Sequence, residues 1–182
     1  KDFCNFLRII QNLNIMHCVT GYPVEPQDLP VKTRHLDAYM AFITLTDRVW
    51  RARPLGRQHI ADAVRMLCIT RAIDHAQLEA EPGLIANLPV NSPLRFGSEI
   101  AESLMEMARY GQVVMVNSFA LAGAMAPVTL AGALAQQNAE VLAGITLAQI
   151  VRPGCPSVYA GHTPIADMRS GGPTFGTPNW YK

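Results

Sequence analysis

The sequence predicts an α/β fold in which short parallel strands alternate with helices. Three observations predict it. Apolar residues recur with helical spacing in several segments, short apolar runs of strand length lie between those segments, and Glu140 is the only charged side chain from Tyr110 to Val151. A stretch so poor in charge is typical of a strand and a helix that are buried on most sides. Strands that alternate with helices imply parallel βαβ units.

Five segments are predicted to be helical from their apolar spacing and their start signals. They are Asp2–Leu13, the residues that follow Thr33, the residues that follow Gly56, Ser98–Tyr110, and Pro127 to about Gln149. Thr33 and Ser98 are predicted N-caps, and Pro127 suits a first helical position because it has no N–H to leave unpaired. Gly111 is the predicted residue after the end of the fourth helix, where glycine is favoured.

Five apolar runs are predicted to be strands: 15–19, 48–52, 84–88, 113–116 and 157–160. Five strands are too few for a closed eight-stranded barrel, which typically needs about 250 residues. Two architectures therefore stay open, an open doubly wound sheet or an incomplete segment of a TIM (β/α)8 barrel. No second domain is visible, so residues 1–182 are interpreted as one segment.

Composition excludes several classes of function. Fifteen basic residues against 14 acidic ones, with no basic run, argue against a nucleic-acid or membrane-surface binder. The charge-poor stretch contains Asn117, Pro127 and Gln136, which argues against a membrane-spanning helix. Four scattered cysteines and no secretory signal in KDFCNFLRII favour a reducing, cytoplasmic compartment. A chain that opens on Lys1 is expected to be a fragment.

Familiar catalytic and metal-binding motifs do not occur in the sequence. GxGxxG, GxxxxGK[ST], HExxH and GxSxG are all absent. The adjacent pair His17 and Cys18 lacks the further ligands of a tetrahedral zinc site, so no metal site is predicted.

Polar and aromatic residues follow the later predicted strands, where ligands bind in α/β folds. These candidate binding residues are Asn91, Arg95, Phe96, Asn117, Phe119, Tyr159, His162, Arg169 and Phe175. Asn91 and Asn117 occupy equivalent strand ends, while turn and N-cap roles are the structural alternative for them. Gln136, Gln137 and Asn138 interrupt the last apolar helix and are interpreted as its solvated side or a helix contact.

Long stretches of the second half resemble the trimethylamine methyltransferase family of corrinoid-dependent amine demethylases. They are NSPLRFG (91–97), VMVNSFALAGAMAPVTLAGALAQQNAEVLAGITLAQIVRPG (114–154), DMRSG (167–171) and FGTP (175–178). The resemblance implies a TIM barrel of which this chain would be an internal segment. It also implies transfer of a methyl group from a tertiary or quaternary amine, such as trimethylamine or glycine betaine, to the Co(I) of a separate corrinoid protein.

The resemblance implies that no cofactor binds this chain directly, because cobalamin would be presented by the partner protein. The family branch that uses trimethylamine carries pyrrolysine, whose position is expected beyond Lys182, so no catalytic residue is assigned. A quaternary ammonium has no N–H donor and is recognised by aromatic faces. The candidates for this contact are Phe96, Phe119, Tyr159, Phe175 and Trp180.

A substrate carboxylate would need an anion site. Arg95, Arg169 or the N–H groups of residues 123–129 are the candidates for it, and His162 is expected to bind substrate or moderate a proton.

Two other functions stay open: another TIM-barrel enzyme such as a lyase or hydrolase, and a noncatalytic packing or binding segment. An incomplete parallel sheet would leave unpaired edges, so association with another chain, such as a homo-oligomer, is also expected.

Overall fold

A computed structural model describes residues 1–19, 24–167 and 169–174 of the chain. Six helices and seven strands occur in these ranges. In chain order they are α1 (Asp2–Gln11), β1 (Cys18–Val19), α2 (Arg34–Leu45), β2 (Val49–Ala52), α3 (Arg57–Arg71), α4 (His75–Ala80), β3 (Ile85–Val90), α5 (Ser98–Arg109), β4 (Val113–Phe119), α6 (Leu130–Val151), β5 (Ser157–His162), β6 (Ile165–Ala166) and β7 (Pro173–Thr174).

The first five strands form one parallel sheet in the order β1-β2-β3-β4-β5. Strand order follows the chain without a reversal, and a helix connects each strand to the next. The register pairs Ile85 with Val113 and Val114 with Ser157. The two short strands β6 and β7 form a separate antiparallel pair. The prediction of an α/β fold with parallel strands is confirmed.

The two faces of the sheet differ in burial. On β4, Val114, Val116 and Ser118 are fully buried against the helices, whereas the alternate residues are only half-buried. Residues that pair across parallel strands lie on the same face, so the register extends this division to the neighbouring strands. We call the side away from the helices the open face; on β4 it carries Val113, Met115, Asn117 and Phe119.

Helix α6 packs on the sheet through small residues. A Cβ atom added at Gly144 would lie 2.8 Å from Val116 Cγ1 and 2.9 Å from Phe96 Cζ, so only glycine allows this close approach. Ala133 and Ala148 are fully buried on the same helix. The low charge of this region therefore reflects tight helix-to-sheet packing.

The structure corrects several predicted boundaries. Helix α6 begins at Leu130, not at Pro127, and its N-cap is Thr129, whose Oγ1 accepts from the Gly132 N–H (3.2 Å). Gly97 precedes α5, so Ser98 lies inside that helix. Only Cys18 and Val19 of the first predicted strand pair with a neighbour.

Helix α4 is not among the predicted helices because it spans only six residues. Gly111 does adopt the left-handed conformation predicted after the fourth helix (φ +65°). In the described part of the chain, no helix combines the length and apolar character needed to cross a bilayer.

Candidate functional site

The loop after β3 is closed by its own backbone. The Asn91 N–H donates to the Arg95 carbonyl (2.7 Å), and the Arg95 N–H donates to the Asn91 carbonyl (3.1 Å). The Asn91 Oδ1 atom accepts from the Gly97 N–H (3.0 Å), which joins this loop to the start of α5. A cavity of about 250 Å³ is lined by Asn91, Arg95, Phe96 and Gly97. Asn91 thus fills the turn role that was the structural alternative for it, beside a cavity of ligand size.

The loop after β4 has a similar form. Residues 122 and 126 pair across a short turn, and the Gly123 N–H donates to the Ala126 carbonyl (3.0 Å). The N–H groups of Ala124, Met125 and Ala126 all donate to the Leu121 carbonyl. The N–H groups of residues 123–126 are thus engaged within the loop, which removes them from the predicted anion site at residues 123–129.

Glu140 of α6 joins the ends of β3 and β4. Its carboxylate is almost completely buried, with the residue 2% exposed. Oε2 accepts from the Ser118 hydroxyl (2.5 Å) and the Ser92 hydroxyl (2.7 Å), and Oε1 accepts from the Leu94 N–H (2.8 Å). Gln136, one turn earlier on α6, donates its Nε2 to Glu140 Oε1 (3.0 Å). The one acidic residue of the charge-poor stretch is therefore the centre of a polar network.

These hydrogen bonds determine the ionisation of Glu140. Burial is the largest single influence and raises the pKa of the carboxyl group, because it disfavours the charged form. The Leu94 N–H and the Ser118, Ser92 and Gln136 side chains together outweigh burial, so the pKa lies below its usual value. Glu140 is an anion at neutral pH, and hydrogen bonds to an anion are stronger than those between neutral groups.

The network holds the β3 loop in an uncommon backbone conformation. Leu94 has φ +54°, which is unfavourable for a residue with a branched side chain, and its N–H is the group that Glu140 accepts from. Gln136 also donates to the Met125 carbonyl (2.9 Å) in the β4 loop. Helix α6 thus holds both loops in place from the helix side of the sheet, through Glu140 and Gln136.

Two of the three polar residues on α6, Gln136 and Gln137, do not lie on the solvated side that the sequence predicts for them. Gln137 is buried (9% exposed), receives a hydrogen bond from Thr163 Oγ1 and packs against Gly161. Gln136 and Gln137 therefore face the strand ends and not solvent, whereas Asn138 is exposed as expected. A usable signal lies in the spacing, because three polar residues and one acid fall within five positions of an otherwise apolar helix.

The predicted binding residues fall into separate groups. Asn117 and Phe119 lie on the open face of β4, and the register places His162 of β5 beside Phe119. Tyr159 pairs with Val116, so it lies on the helix side, where its hydroxyl donates to Asn138 Oδ1 (3.3 Å). The structure does not bring Tyr159 together with the open-face residues.

The remaining candidates lie at the edges of this region. Arg95 is exposed at the rim of the cavity, and Phe96 is half-buried against α6 near Gly144. Arg169 is exposed in a turn where its N–H donates to Asp167 Oδ1 (3.0 Å). Phe175 and Trp180 lie outside the described residues. The binding roles of all these residues stay predictions.

Within residues 1–19, 24–167 and 169–174, no group of three or more His, Cys, Asp or Glu side chains is arranged to hold a metal ion.

The fold and the polar strand ends are those of an α/β protein with its candidate site at the carboxyl ends of parallel strands. The family model described as trimethylamine methyltransferase matches residues 1–182. The chain therefore belongs to the trimethylamine methyltransferase family.

Three relatives cover almost the whole chain. A glycine betaine methyltransferase of Desulfitobacterium hafniense is 34% identical over 98% of the chain, and a trimethylamine methyltransferase of the same species is 31% identical over 98%. A proline betaine:corrinoid methyltransferase of Eubacterium limosum is 28% identical over 97%. The chain covers 37%, 36% and 38% of the lengths of these three proteins, respectively.

Proposed function

We propose that the protein containing this chain transfers a methyl group from a tertiary or quaternary methylated amine to the Co(I) of a separate corrinoid protein. The match of the family model over all 182 residues carries the proposal. Relatives named for glycine betaine, proline betaine and trimethylamine support a methylated amine as the substrate. The name of the proline betaine relative supports a corrinoid acceptor.

We further propose that the sheet is part of a (β/α)8 barrel. Its strand order supports this architecture, because a doubly wound sheet reverses direction at a switch point and this sheet does not. The half-buried open face also supports it, since that face would line the barrel interior.

The proposed reaction is a displacement at carbon. The C–N bond would break and its electron pair would return to nitrogen, while Co(I) of the acceptor protein would supply the electron pair of the new carbon–cobalt bond and become Co(III). The leaving group is a neutral amine only if the nitrogen carries four substituents, so a tertiary amine such as trimethylamine would first have to gain a fourth substituent. The residues of this chain would bind the ammonium group and orient one methyl group toward the strand ends.

Phe119 and His162 are proposed to contact the cationic group. They pair across β4 and β5 on the open face, at the last position of each strand. An aromatic face attracts a quaternary ammonium by about 0.5–2 kcal/mol. Asn117 lies two residues below Phe119 on the same face and would contribute a polar contact.

The rim of the strand ends would meet the corrinoid protein. Leu94 and Val128, in the β3 and β4 loops, are 69% and 81% exposed. Contiguous exposed apolar surface is typical of contacts with a protein partner, and these two side chains would contribute to such a surface. Docking at this end would bring the cobalt to the substrate methyl group.

Methylation of a corrinoid protein tests the proposal. The natural full-length protein would be incubated with a reduced corrinoid protein and with glycine betaine, proline betaine or trimethylamine in turn. We expect the Co(I) absorption spectrum to convert to that of methyl-cobalt with at least one of these amines. Glycine, which has no N-methyl group, is the matched control. The proposal fails if no amine gives conversion with a corrinoid partner that a different methyltransferase can methylate.

A further inference from the structure

Three buried polar atoms on the open face have no hydrogen-bond partner among the described residues. They are Arg51 Nε, Asn87 Oδ1 and Asn117 Oδ1. The register places all three on one face, since Arg51 pairs with Ile85, Asn87 pairs with Met115, and Asn117 follows Met115 by two residues. Buried polar groups in proteins are paired in the great majority of cases, so this cluster requires a ligand or a further part of the protein.

The three residues form an ascending row across adjacent strands. Asn87 lies two residues beyond the level of Arg51, and Asn117 pairs with Pro89, two residues further. At about 3.3 Å per residue, Asn87 and Asn117 lie about 7 and 13 Å above Arg51 along the strand direction. The row therefore leads from the level at which β3 and β4 begin toward Phe119 at the carboxyl end of β4.

Arg51 supplies the only formal charge along this row. No acidic residue occurs on the open face of β1 to β5, and none of the ion pairs within the described ranges includes Arg51. A half-buried guanidinium without an anion is unfavourable, because charge is costly to remove from water without a partner. Its planar donors match a carboxylate, which they bind through two parallel hydrogen bonds.

We propose that Arg51 binds the carboxylate of a betaine, with Asn87 and Asn117 beside the methylated ammonium group. This inference rests on the proposed function and narrows its substrate to methylated amines that carry a carboxylate. Amide oxygens carry negative partial charge and make weak C–H···O contacts to polarised methyl groups. The residue that recognises the carboxylate is then neither Arg95 nor Arg169, which lie exposed outside the open face.

The charges give the substrate one orientation. A cationic head group is repelled by Arg51 and attracted by the Phe119 ring and by the amide oxygens of Asn87 and Asn117. The carboxylate of the substrate therefore points toward Arg51, and the ammonium group points toward the carboxyl ends of the strands. This orientation presents a methyl group at the end where a separate acceptor protein can dock. A betaine bound the other way would bury its reactive methyl group next to a cation.

Calorimetric binding to the full-length protein tests the assignment. Glycine betaine and tetramethylammonium share a quaternary head, and only the betaine has a carboxylate. We expect Arg51→Gln to raise the Kd for glycine betaine about 10- to 100-fold, the range for loss of a charged hydrogen-bonded pair. The same variant should leave the Kd for tetramethylammonium unchanged or lower it, because it removes a positive charge that repels the cation. Arg65→Gln, at an exposed position of α3, is the matched control and should change neither.

Each outcome bears on the assignment. Equal losses for both ligands, or no loss for glycine betaine, would overturn it, as would failure of the unmodified protein to bind glycine betaine. Arg51→Lys keeps the charge without the paired donors and should give an intermediate Kd, so it replaces Arg51→Gln if that variant does not fold. Carboxylate binding that depends on Arg51 without methylation of any corrinoid protein would refute the proposed reaction while the binding assignment stands.

Discussion

Replacing the buried carboxylate of Glu140 is expected to loosen the loop after β3. Glu140→Gln removes the charge and keeps the size of the side chain. The amide oxygen can still accept from the Leu94 N–H, whereas the amide nitrogen would face the Ser92 and Ser118 hydroxyls, which must then reverse to accept. All four contacts become hydrogen bonds between neutral groups.

The expected loss of stabilisation in Glu140→Gln follows from those four hydrogen bonds. A hydrogen bond to a charged group contributes roughly 1.5–3 kcal/mol, and one between neutral groups contributes about 0.5–1.5 kcal/mol. Each contact therefore weakens by about 1 kcal/mol. Because the recovered desolvation energy of the charge offsets part of the sum, we expect a net loss of about 2–3 kcal/mol. Glu140→Ala should cost more, since it also leaves a cavity and an unpaired Leu94 N–H.

Hydrogen exchange measured by mass spectrometry on the full-length protein gives a local assay. A loss of 2 kcal/mol corresponds to about 30-fold faster exchange of the peptide that contains Leu94, if that loop opens separately from the rest of the protein. Glu102→Gln, at an exposed position of α5, removes the same charge and should leave exchange unchanged. Unchanged exchange around Leu94 in Glu140→Gln would refute the view that this carboxylate holds the loop.

Four further outcomes are expected. Because the pKa of Glu140 is lowered in the folded state, the ionised carboxylate stabilises the fold above about pH 4.5, the usual pKa, and this stabilisation is lost as the pH falls through the lower folded pKa. The difference in urea stability between the unmodified protein and Glu140→Gln should therefore shrink on acidification. A difference that stays constant with pH would contradict this. Gly144→Ala should destabilise the protein by about 1–3 kcal/mol, because the new methyl group meets Val116, and a neutral effect would show that α6 can move away. Thr129→Ala should cost about 1 kcal/mol in urea unfolding, with Thr129→Ser close to unchanged as the control for the cap. Phe119→Ala should raise the KM for a quaternary amine about 2- to 30-fold, with Phe119→Tyr nearly unaffected, and an unchanged KM would remove Phe119 from the site.

Local signals predicted most of the secondary structure correctly. Apolar spacing located α1, α2, α3 and α5, since an amphipathic face depends on residues within two turns. Boundaries were less well determined where competing signals lie close together. Pro127 and Thr129 both suit a helix start, and the structure selects Thr129 because its hydroxyl pairs with the Gly132 N–H. Helix α4 was not predicted, although Asp74 and Gln77 form a capping box, because six residues are too few to show a helical repeat of apolar side chains.

The candidate site could be predicted only in part. The sequence places Asn117, Phe119 and His162 in loops after their strands, whereas in the structure they lie inside β4 and β5 at the carboxyl ends. Parallel strands bring these ends to one edge, so Phe119 pairs with His162. The sequence predicts Tyr159 in the same group, but strand alternation places it on the helix side, where its hydroxyl donates to Asn138. A shift of one residue changes the face, and sequence spacing alone does not fix where a short strand begins.

The sequence alone determined that the chain is α/β, that its strands are parallel and that it belongs to this methyltransferase family, because those properties follow from local periodicity and from long shared motifs. Only the tertiary structure decided what the single charge in the stretch from Tyr110 to Val151 does. Glu140 lies 22 residues from Ser118 and 48 from Ser92 in the chain, and its role arises because α6 packs across both strand ends. Only the structure shows that Arg51 and Asn87 lie on the open face of the sheet and not in the core, because the face of a strand residue depends on the register with its neighbours.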